Sequence, residues 1–490
     1  MKQNLISLPN KIAHHRFKKV IFDIETEGLE GNTIHCIVAK VIGGETYLFP
    51  PDKLQEGADL IESADVLIGH NIIGFDIPVL KKHFDLTLTN HIEDTLVVSR
   101  LVNPVLTGGH SLENWGYILY PNEADKRKAQ QPDSWENYTE EMGKYCIQDV
   151  ELNADVYYKL LEQVENFSQE SVDLEHSVAK IMKEQEINGF MLDEQKATML
   201  AAKLNSKMAE IEKKVHETFK PKWVDDKIVT PKIRKDGTLS KVGLTNEEMR
   251  KCLRANNFKP FMRQKWVTFN LASRKQIGEY LIDFGWKPKK FTPTGQPIVD
   301  ETTLEKVKDI PEATLIAEFM MLQKRVAQVS SWLELSEEGR VHGFVIPNGA
   351  ITGRMTHRSP NVAQTPSSTK PYGKECRECW TVPEGYKLVG IDASGLELRV
   401  LAHYMKNEEY INEIVNGDIH TTNQNLAGLG SRSQAKTFIY ALIYGAGDAK
   451  IGSVVGGNSK AGAALRSSFI RNLPSLGNLT TSVERAAQTR

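Results

Sequence analysis

Residues 387–405, KLVGIDASGLELRVLAHYM, decide how the C-terminal part of this chain folds. The apolar run 388–391 predicts a buried strand that delivers Asp392 to its end, and residues 396–405 continue at helical spacing with Glu397 in the first turn. A strand ending in Asp presents a metal ligand at its mouth. It equally starts an Asx-turn, or caps a helix through Asp392 or Ser394. The choice depends on what else in the chain points toward Asp392.

A chain of 490 residues is long enough for three or more units, each with its own core. One quarter of it is charged and 40% is apolar, the balance of an ordinary water-soluble protein. No apolar run approaches the ~18 residues that span a bilayer, and the N-terminal stretch lacks the apolar core of a secretion signal. The five cysteines are few, odd in number and scattered, as in a reducing compartment. Cys376 and Cys379 form a C-x-x-C with no second pair or His at zinc spacing, so they read as reduced and non-ligating. These features predict a cytoplasmic protein with no membrane partner. The net charge of −2 is unevenly spread, since residues 220–290 hold 18 Lys and Arg against 7 Asp and Glu. That local +11 can attract phosphates, although a solvated helical face has the same composition.

Residues 19–26, KVIFDIET, predict a strand that turns acidic at its end. Side chains two apart on a strand share a face, so Asp23 and Glu25 can reach one cation from a single backbone segment. Residues 32–50 continue as a hairpin turning at Gly43-Gly44, which makes the sheet mixed. Residues 64–69 predict another strand, followed by HNIIGFDIPVLKKH, in which Asn71 and Asp76 flank a strand-to-helix junction. Helical periodicity begins near Tyr138, and Tyr145 and Asp149, four apart, share a face of that helix. Carboxylate oxygens are what Mg²⁺ prefers, and two such ions would activate a water and stabilise the leaving oxygen of a phosphodiester. The Tyr145 hydroxyl could orient the attacking water or the scissile phosphate. Each residue alone is more often structural. The set D-x-E, N-x3-F-D and Y-x3-D, in this order, resembles the three proofreading motifs of the DEDD 3′-5′ exonucleases. The resemblance implies Asp23, Glu25, Asp76 and Asp149 as metal ligands.

From residue 151 to about 220 the pattern is helical and amphipathic, broken at Asn188-Gly189, which predicts two long helices joined at a turn. Residues 221–263 read as irregular and basic, with PKIRKDGTLSK as a mobile loop. Helical stretches return at 273–285 and at 312–335, the latter carrying Lys324 and Arg325. A basic helical pair with a basic insertion would hold duplex DNA by its phosphates without reading sequence. Residues 341–366 alternate like strands punctuated by Gly and Pro. There Arg354, with Asn361 and Gln364 beyond it, presents donors that suit minor-groove acceptors, as ordinary polar loops also do.

Beyond the opening stretch, GDIHTTNQN contains His420, and SRSQAKTFIYALIYGAG predicts a helix from about 431 to 444 ending at Gly445. Arg432, Lys436 and Tyr440 recur every fourth residue, so one face shows two cations and a ring. A triphosphate fits the cations and a base fits the ring; solvated cations beside a core tyrosine give the same pattern. Together with Asp392, the spacing R-x3-K-x7-Y-G resembles the fingers helix of family A DNA polymerases, and DASGLELR resembles their first palm motif. The likeness extends through TGRMTHRSPNVAQTP and DIHT and covers nearly the whole chain. It is nearest to the replicative branch of short-tailed phages.

The resemblance implies an α/β multidomain chain: a ribonuclease H-like 3′-5′ exonuclease domain at 1–165, then an incomplete right-hand polymerase. The polymerase would comprise a helical thumb at 166–340 with its basic insertion at about 220–262, a partial palm at 341–410, and fingers at 411–490. It further implies that Asp392 binds two Mg²⁺, each active site using two ions. His420, Arg432 and Lys436 would contact the incoming deoxynucleoside triphosphate. Tyr440, backed by Glu397, would sit where the family checks the sugar, and is of the type linked to tolerance of dideoxynucleotides. Tyr444 would lie by the template base, while Arg354 and Gln364 would track the minor groove of primer-template DNA. Phage relatives recruit the host's thioredoxin at the thumb insertion; here that segment is short, which weakens the expectation of a thioredoxin-like processivity factor. The family supplies a second palm Asp from a His-Asp-Glu turn, and no such triplet occurs in this sequence. The expectation is therefore a DNA-templated DNA polymerase with proofreading, in host cytoplasm if phage-encoded, needing a second polypeptide or further palm segment to polymerise. The alternatives are a stand-alone 3′-5′ exonuclease and a non-catalytic DNA-binding fragment.

Overall fold

The computed structural model describes residues 19–127 and 131–489. Residues 1–18, the start of the expected exonuclease domain, and Arg490, the last of the expected fingers, lie outside the described residues. The chain divides into two compact units that meet in sequence at Tyr386 and Lys387.

The first unit opens with strands β1 (Lys19–Thr26), β2 (Ile34–Val41) and β3 (Thr46–Phe49), helix α1 (Leu54–Glu62), strand β4 (Val66–Gly69), helix α2 (Asp76–His83), strand β5 (His91–Asp94), and helices α3 (Thr95–Val102), α4 (Leu112–Leu119) and α5 (Glu140–Val164). The five strands form one mixed sheet in the order β3-β2-β1-β4-β5, with β1 antiparallel to β2 and parallel to β4. Strand alternation sorts β1 between two cores. Val20, Phe22 and Ile24 pack with Leu60, Ile61 and Leu80 of α1 and α2, whereas Ile21 packs with Cys146, Val150 and Tyr157 of α5. Asp23 and Glu25 continue the Ile21 face, so the sheet presents both carboxylates on the side that α5 covers.

Helix α6 (Gln169–Asn188), strand β6 (Phe190–Leu192) and helix α7 (Glu194–Thr218) follow, with Gly189 at φ 61 making the break between the two long helices. Next come β7 (Lys222–Val229), α8 (Asn246–Ala255), β8 (Phe261–Val267), α9 (Arg274–Asp283), α10 (Glu301–Leu304) and α11 (Pro311–Glu334). Helices α7 and α11 share a core with Phe219, Phe269 and the fully buried Trp332. The unit ends with β9 (Ser336–Glu337), β10 (Arg340–Val341), β11 (Phe344–Ile346), β12 (Thr356–Arg358), α12 (Gly373–Glu378) and β13 (Trp380–Thr381). Residues 376 and 379 are free, buried cysteines.

The segment expected as a thumb insertion corrects the sequence reading. Residues 221–263 are not an irregular loop: β7 and β8 pair as an antiparallel ribbon, Lys222 opposite Val267 and Val229 opposite Phe261, with α8 in the connection. The partner strands lie more than thirty residues apart, so no local period announces the pairing. Trp223 and Trp266 face each other across it with ring centroids 5.5 Å apart. Glu248 fastens the connection. Its carboxylate accepts Arg263 Nε at 2.6 Å and Nη2 at 2.5 Å, and it closes a capping box with Thr245. The Arg263 guanidinium lowers the Glu248 carboxyl from its ordinary 4.5 to about 2. A carboxyl whose pKa is depressed by folding stabilises the fold above its ordinary value and loses that contribution as pH falls through the folded one. Acid titration should therefore loosen the ribbon between pH 4.5 and about 2, seen in the fluorescence of the Trp223–Trp266 pair. In Glu248→Gln that acid step should vanish; an unchanged step would remove Glu248 as its cause.

The second unit is helical: α13 (Leu396–Met405), α14 (Glu408–Asn416), α15 (Ile419–Ala427), α16 (Arg432–Ile443), α17 (Asp448–Val454), α18 (Ser459–Asn472) and α19 (Pro474–Gln488). Leu398, Phe438, Ile439 and Phe469 anchor its core. Residues 388–391 overturn the expectation of a buried strand. They carry no strand pairing, and Leu388, Val389 and Ile391 are 66%, 75% and 94% exposed. An apolar run is buried as a strand only if a neighbour offers a backbone ladder, and none among the described residues does. Nor does Asp392 or Ser394 cap the next helix; Gly395 does, at φ 58 and without a side-chain bond.

Candidate active sites

The exonuclease-like site is assembled from β1, the turn after β4, and α5. Ligand atoms of Asp23, Glu25 and Cys146 lie within 4.8 Å of one another. Asp76, the first residue of α2, is 3% exposed, and its Oδ1 accepts the Ile24 N–H at 3.1 Å, which places it directly beside the acidic end of β1. Burial, then the charge of Asp23, pushes the Asp76 carboxyl well above the usual carboxylate range. A cluster whose members raise one another's pKa is one that a divalent cation stabilises, because the ion supplies the missing counter-charge. The oxygen donors here suit a hard cation: Asp23 and Glu25 converge with the Cys146 sulfur, and the Asp76 carboxylate stands beside the end of β1.

Cys146 was not singled out by the sequence. Its Sγ lies 3.6 Å from the Asp23 carbonyl and 3.8 Å from Asp23 Oδ2. Burial, a hydrogen bond with Cys36, and the Asp23 charge drive the thiol well above its ordinary value, so it packs behind Asp23 as a protonated donor. Asp149 and Tyr145 lie on α5, 3% and 5% exposed, and the Tyr145 ring meets Trp135 edge-on at 5.8 Å. Their helix is tied to β1 through Cys146, one position after Tyr145 and three before Asp149.

A second residue outside the sequence motifs organises the turn that carries Asp76. Asp94, at the end of β5, is 1% exposed and accepts the N–H groups of Asn71 (2.9 Å) and Ile73 (3.0 Å) as well as that of Leu96 (2.9 Å) at the start of α3. Burial raises its carboxyl, and the Ile73 and Asn71 N–H groups pull it back down. An Asp directly before the apolar run TLVV is an N-cap signature, and that signal was available in the sequence.

In the second unit, Arg432, Lys436 and Tyr440 line one face of α16, as their spacing predicts, and the His420 ring lies 6.3 Å from that of Tyr440. Burial, then Arg432 and Lys436, lowers the His420 pKa. Arg432 is held by Asp418, the first residue of DIHT, to which the sequence reading gave no role, through Nε at 2.7 Å and Nη2 at 3.0 Å. The same carboxylate accepts the His420 N–H and the Thr421 hydroxyl at the head of α15, so one anion fixes two of the expected triphosphate contacts. Glu397 accepts the Tyr444 hydroxyl at 2.7 Å, and its charge helps burial to raise the Tyr440 pKa. Asp392 stands in the exposed stretch described above, and no group of three or more metal-ligating side chains forms around it among the described residues. In the first unit, Arg354 lies on the exposed turn between β11 and β12, Gln364 is exposed in a short 3-10 helix, and Asn361 is half-buried with an unpartnered Oδ1.

Residues 241–490 match the sequence profile of DNA polymerase family A, and residues 4–165 match that of a 3′-5′ exonuclease. The chain is 34% identical to the DNA-directed DNA polymerase of Escherichia phage T7, over 95% of this chain and 81% of the relative. The DNA-directed DNA polymerase of Enterobacteria phage T3 is 33% identical over the same shares. The fold also resembles the POL domain of Pol1 from M. smegmatis, solved in complex with DNA primer-template and dNTP, with a TM-score of 0.71 at 16% identity, covering 96% of this chain and 75% of that one.

Proposed function

Since this chain belongs to DNA polymerase family A, of the phage replicative type with a 3′-5′ exonuclease domain, we propose that it copies primer-template DNA and edits the new 3′ end with Mg²⁺ at each centre. The observation that carries the editing half is the convergence of Asp23 and Glu25 with the buried Asp76 beside them. Asp23, Glu25, Asp76 and Asp149 would hold two Mg²⁺, which supply an activated water and neutralise the leaving 3′ oxygen. The chain's own part is to fix those carboxylates, to keep the Cys146 thiol protonated behind them, and to place the Tyr145 hydroxyl toward the scissile phosphate. Purified chain should shorten end-labelled single-stranded DNA from its 3′ end in Mg²⁺ and stop when EDTA removes the metal. Degradation that survives EDTA would remove this reading.

For synthesis, Arg432, Lys436 and His420 receive the triphosphate, Tyr440 lies against the sugar, Tyr444 by the template base, and Arg354, Asn361 and Gln364 along the minor groove. Asp392 would be one metal carboxylate. Among the described residues Leu388, Val389 and Ile391 are exposed and have no ladder partner, and a palm segment bearing a second carboxylate, on this chain or another, would cover them. The same exposure favours a second reading, a 3′-5′ exonuclease that holds DNA without extending it. Primer extension by residues 1–490 alone would remove both the need for that segment and the second reading. A thioredoxin-like processivity partner would meet the exposed Trp223 and Trp266 of the thumb ribbon. The setting would be the cytoplasm, that of the host cell if the chain is phage-encoded.

A further inference from the structure

The exonuclease match ends at residue 165, yet the turn that carries Asp76 is anchored beyond it. His176, on α6, is 6% exposed, and its Nε2 accepts the Asp94 N–H at 2.8 Å. Its Nδ1 lies 2.8 Å from the Val172 carbonyl, so the ring carries its proton on Nδ1 and turns a lone pair toward Asp94. Strand β5 is the edge of the sheet. The imidazole therefore supplies the ladder partner that a buried edge N–H lacks.

From Asp94 the connection continues through its side chain. The carboxylate grips the N–H groups of Asn71 and Ile73, and Asn71 sits in the left-handed region at φ 69, a conformation that those bonds hold in place. The turn closes on itself through the Asn71 carbonyl, which accepts the N–H groups of Gly74 and Phe75, and the next residue is Asp76. Beside it the Thr95 hydroxyl lies 2.8 Å from Asn153 Oδ1, one helical turn after Asp149, and 3.1 Å from the Gly69 carbonyl at the end of β4. Asp94-Thr95 thus touches both the turn leading to Asp76 and the helix bearing Asp149.

We propose that His176 is a positioning residue for the exonuclease, holding Asp76 in register with Asp23 through Asp94. The editing site is then not self-contained within residues 4–165, and a shift of α6 reaches Asp76 through the bonds of Asp94 and the Asn71 turn. Outer partners that orient metal ligands typically contribute 10- to 100-fold to metal affinity or activity.

The inference rests on the reading of Asp23, Glu25, Asp76 and Asp149 as a hydrolytic metal site, so the test uses the full chain with that reading as a control. End-labelled single-stranded DNA is hydrolysed across a Mg²⁺ series by wild type, Asp23→Ala, His176→Ala and His176→Gln, with thermal melts giving the folded fraction of each. His176→Ala should lose roughly tenfold in rate and need more Mg²⁺ for half its maximum. His176→Gln, whose Oε1 can accept the same N–H, should recover most of both. An inert wild type would overturn the metal-site reading. An active wild type matched by His176→Ala in rate and Mg²⁺ dependence, or a loss that only follows the folded fraction, would overturn the role of His176 alone. If His176→Ala does not fold, His176→Gln with an unshifted Mg²⁺ dependence upholds the proposal, and a His176→Gln that is folded but as impaired as the alanine variant was expected to be overturns it.

Discussion

Asp23→Ala should reduce Mg²⁺-dependent 3′-5′ hydrolysis about 1,000-fold and leave the chain folded. Metal ions contribute several kcal/mol of transition-state charge stabilisation, and about 4 kcal/mol corresponds to three powers of ten in rate. Asp23 is central because it shares the acidic end of β1 with Glu25, contacts Cys146, and supplies the charge that raises Asp76. Its removal takes away a ligand and also relieves the repulsion on Asp76, so that carboxyl binds a proton more weakly, while the Cys146 thiol keeps the backbone carbonyl of residue 23 as an acceptor. The sheet core around Ile21 and Phe22 is apolar and complete without it. The variant's melting temperature should therefore match or exceed that of wild type. Retained hydrolysis would detach the site from the chemistry; lost hydrolysis with a lowered melting temperature would make Asp23 a structural residue.

The sheet could be read from the sequence because its signal is local. The stretch KVIFDIET alternates between two cores, and that alternation by itself puts Asp23 and Glu25 on one face. The same holds for α16, where a period of four sets Arg432, Lys436 and Tyr440 in line. What escaped depends on partners distant in sequence. The β7–β8 ribbon needs Lys222 to find Val267, and basic residues in between mask the pairing. Residues 388–391 erred in the opposite direction: their composition says strand, but composition cannot supply the neighbour that would bury it. Among site residues, Cys146, Asp94, His176 and Asp418 were missed because each acts on another residue, so even the N-cap signature of Asp94 and the DIHT motif around Asp418 do not announce what those carboxylates hold. Asp418 is instructive. It stands in DIHT and caps α15, but its bidentate hold on Arg432 is set by the packing of α15 on α16.

That hold separates the two cations of α16 and shapes the second large effect. Lys436→Ala should weaken binding of a deoxynucleoside triphosphate about 10- to 100-fold, since a hydrogen bond to a charged group contributes about 1.5–3 kcal/mol. Arg432 already spends two donors on Asp418, so its fork is oriented in advance but partly neutralised. Lys436 is exposed and forms no ion pair among the described residues, so its full charge is available to a phosphate. Its position one turn from Arg432 and one from Tyr440 would put it midway along a triphosphate whose base end approaches the ring. Binding is best followed with a fluorescent triphosphate titrated into the full chain, so that the readout does not depend on primer extension. The parent nucleoside, which has no phosphates, should bind wild type and Lys436→Ala alike. Raising the salt should weaken the triphosphate more in wild type than in the variant, because exposed charges are screened over a Debye length of about 10 Å at 0.1 M. Equal losses for nucleoside and triphosphate would show that Lys436 shapes α16 without touching phosphate, and would move the triphosphate contact to Arg432 and His420.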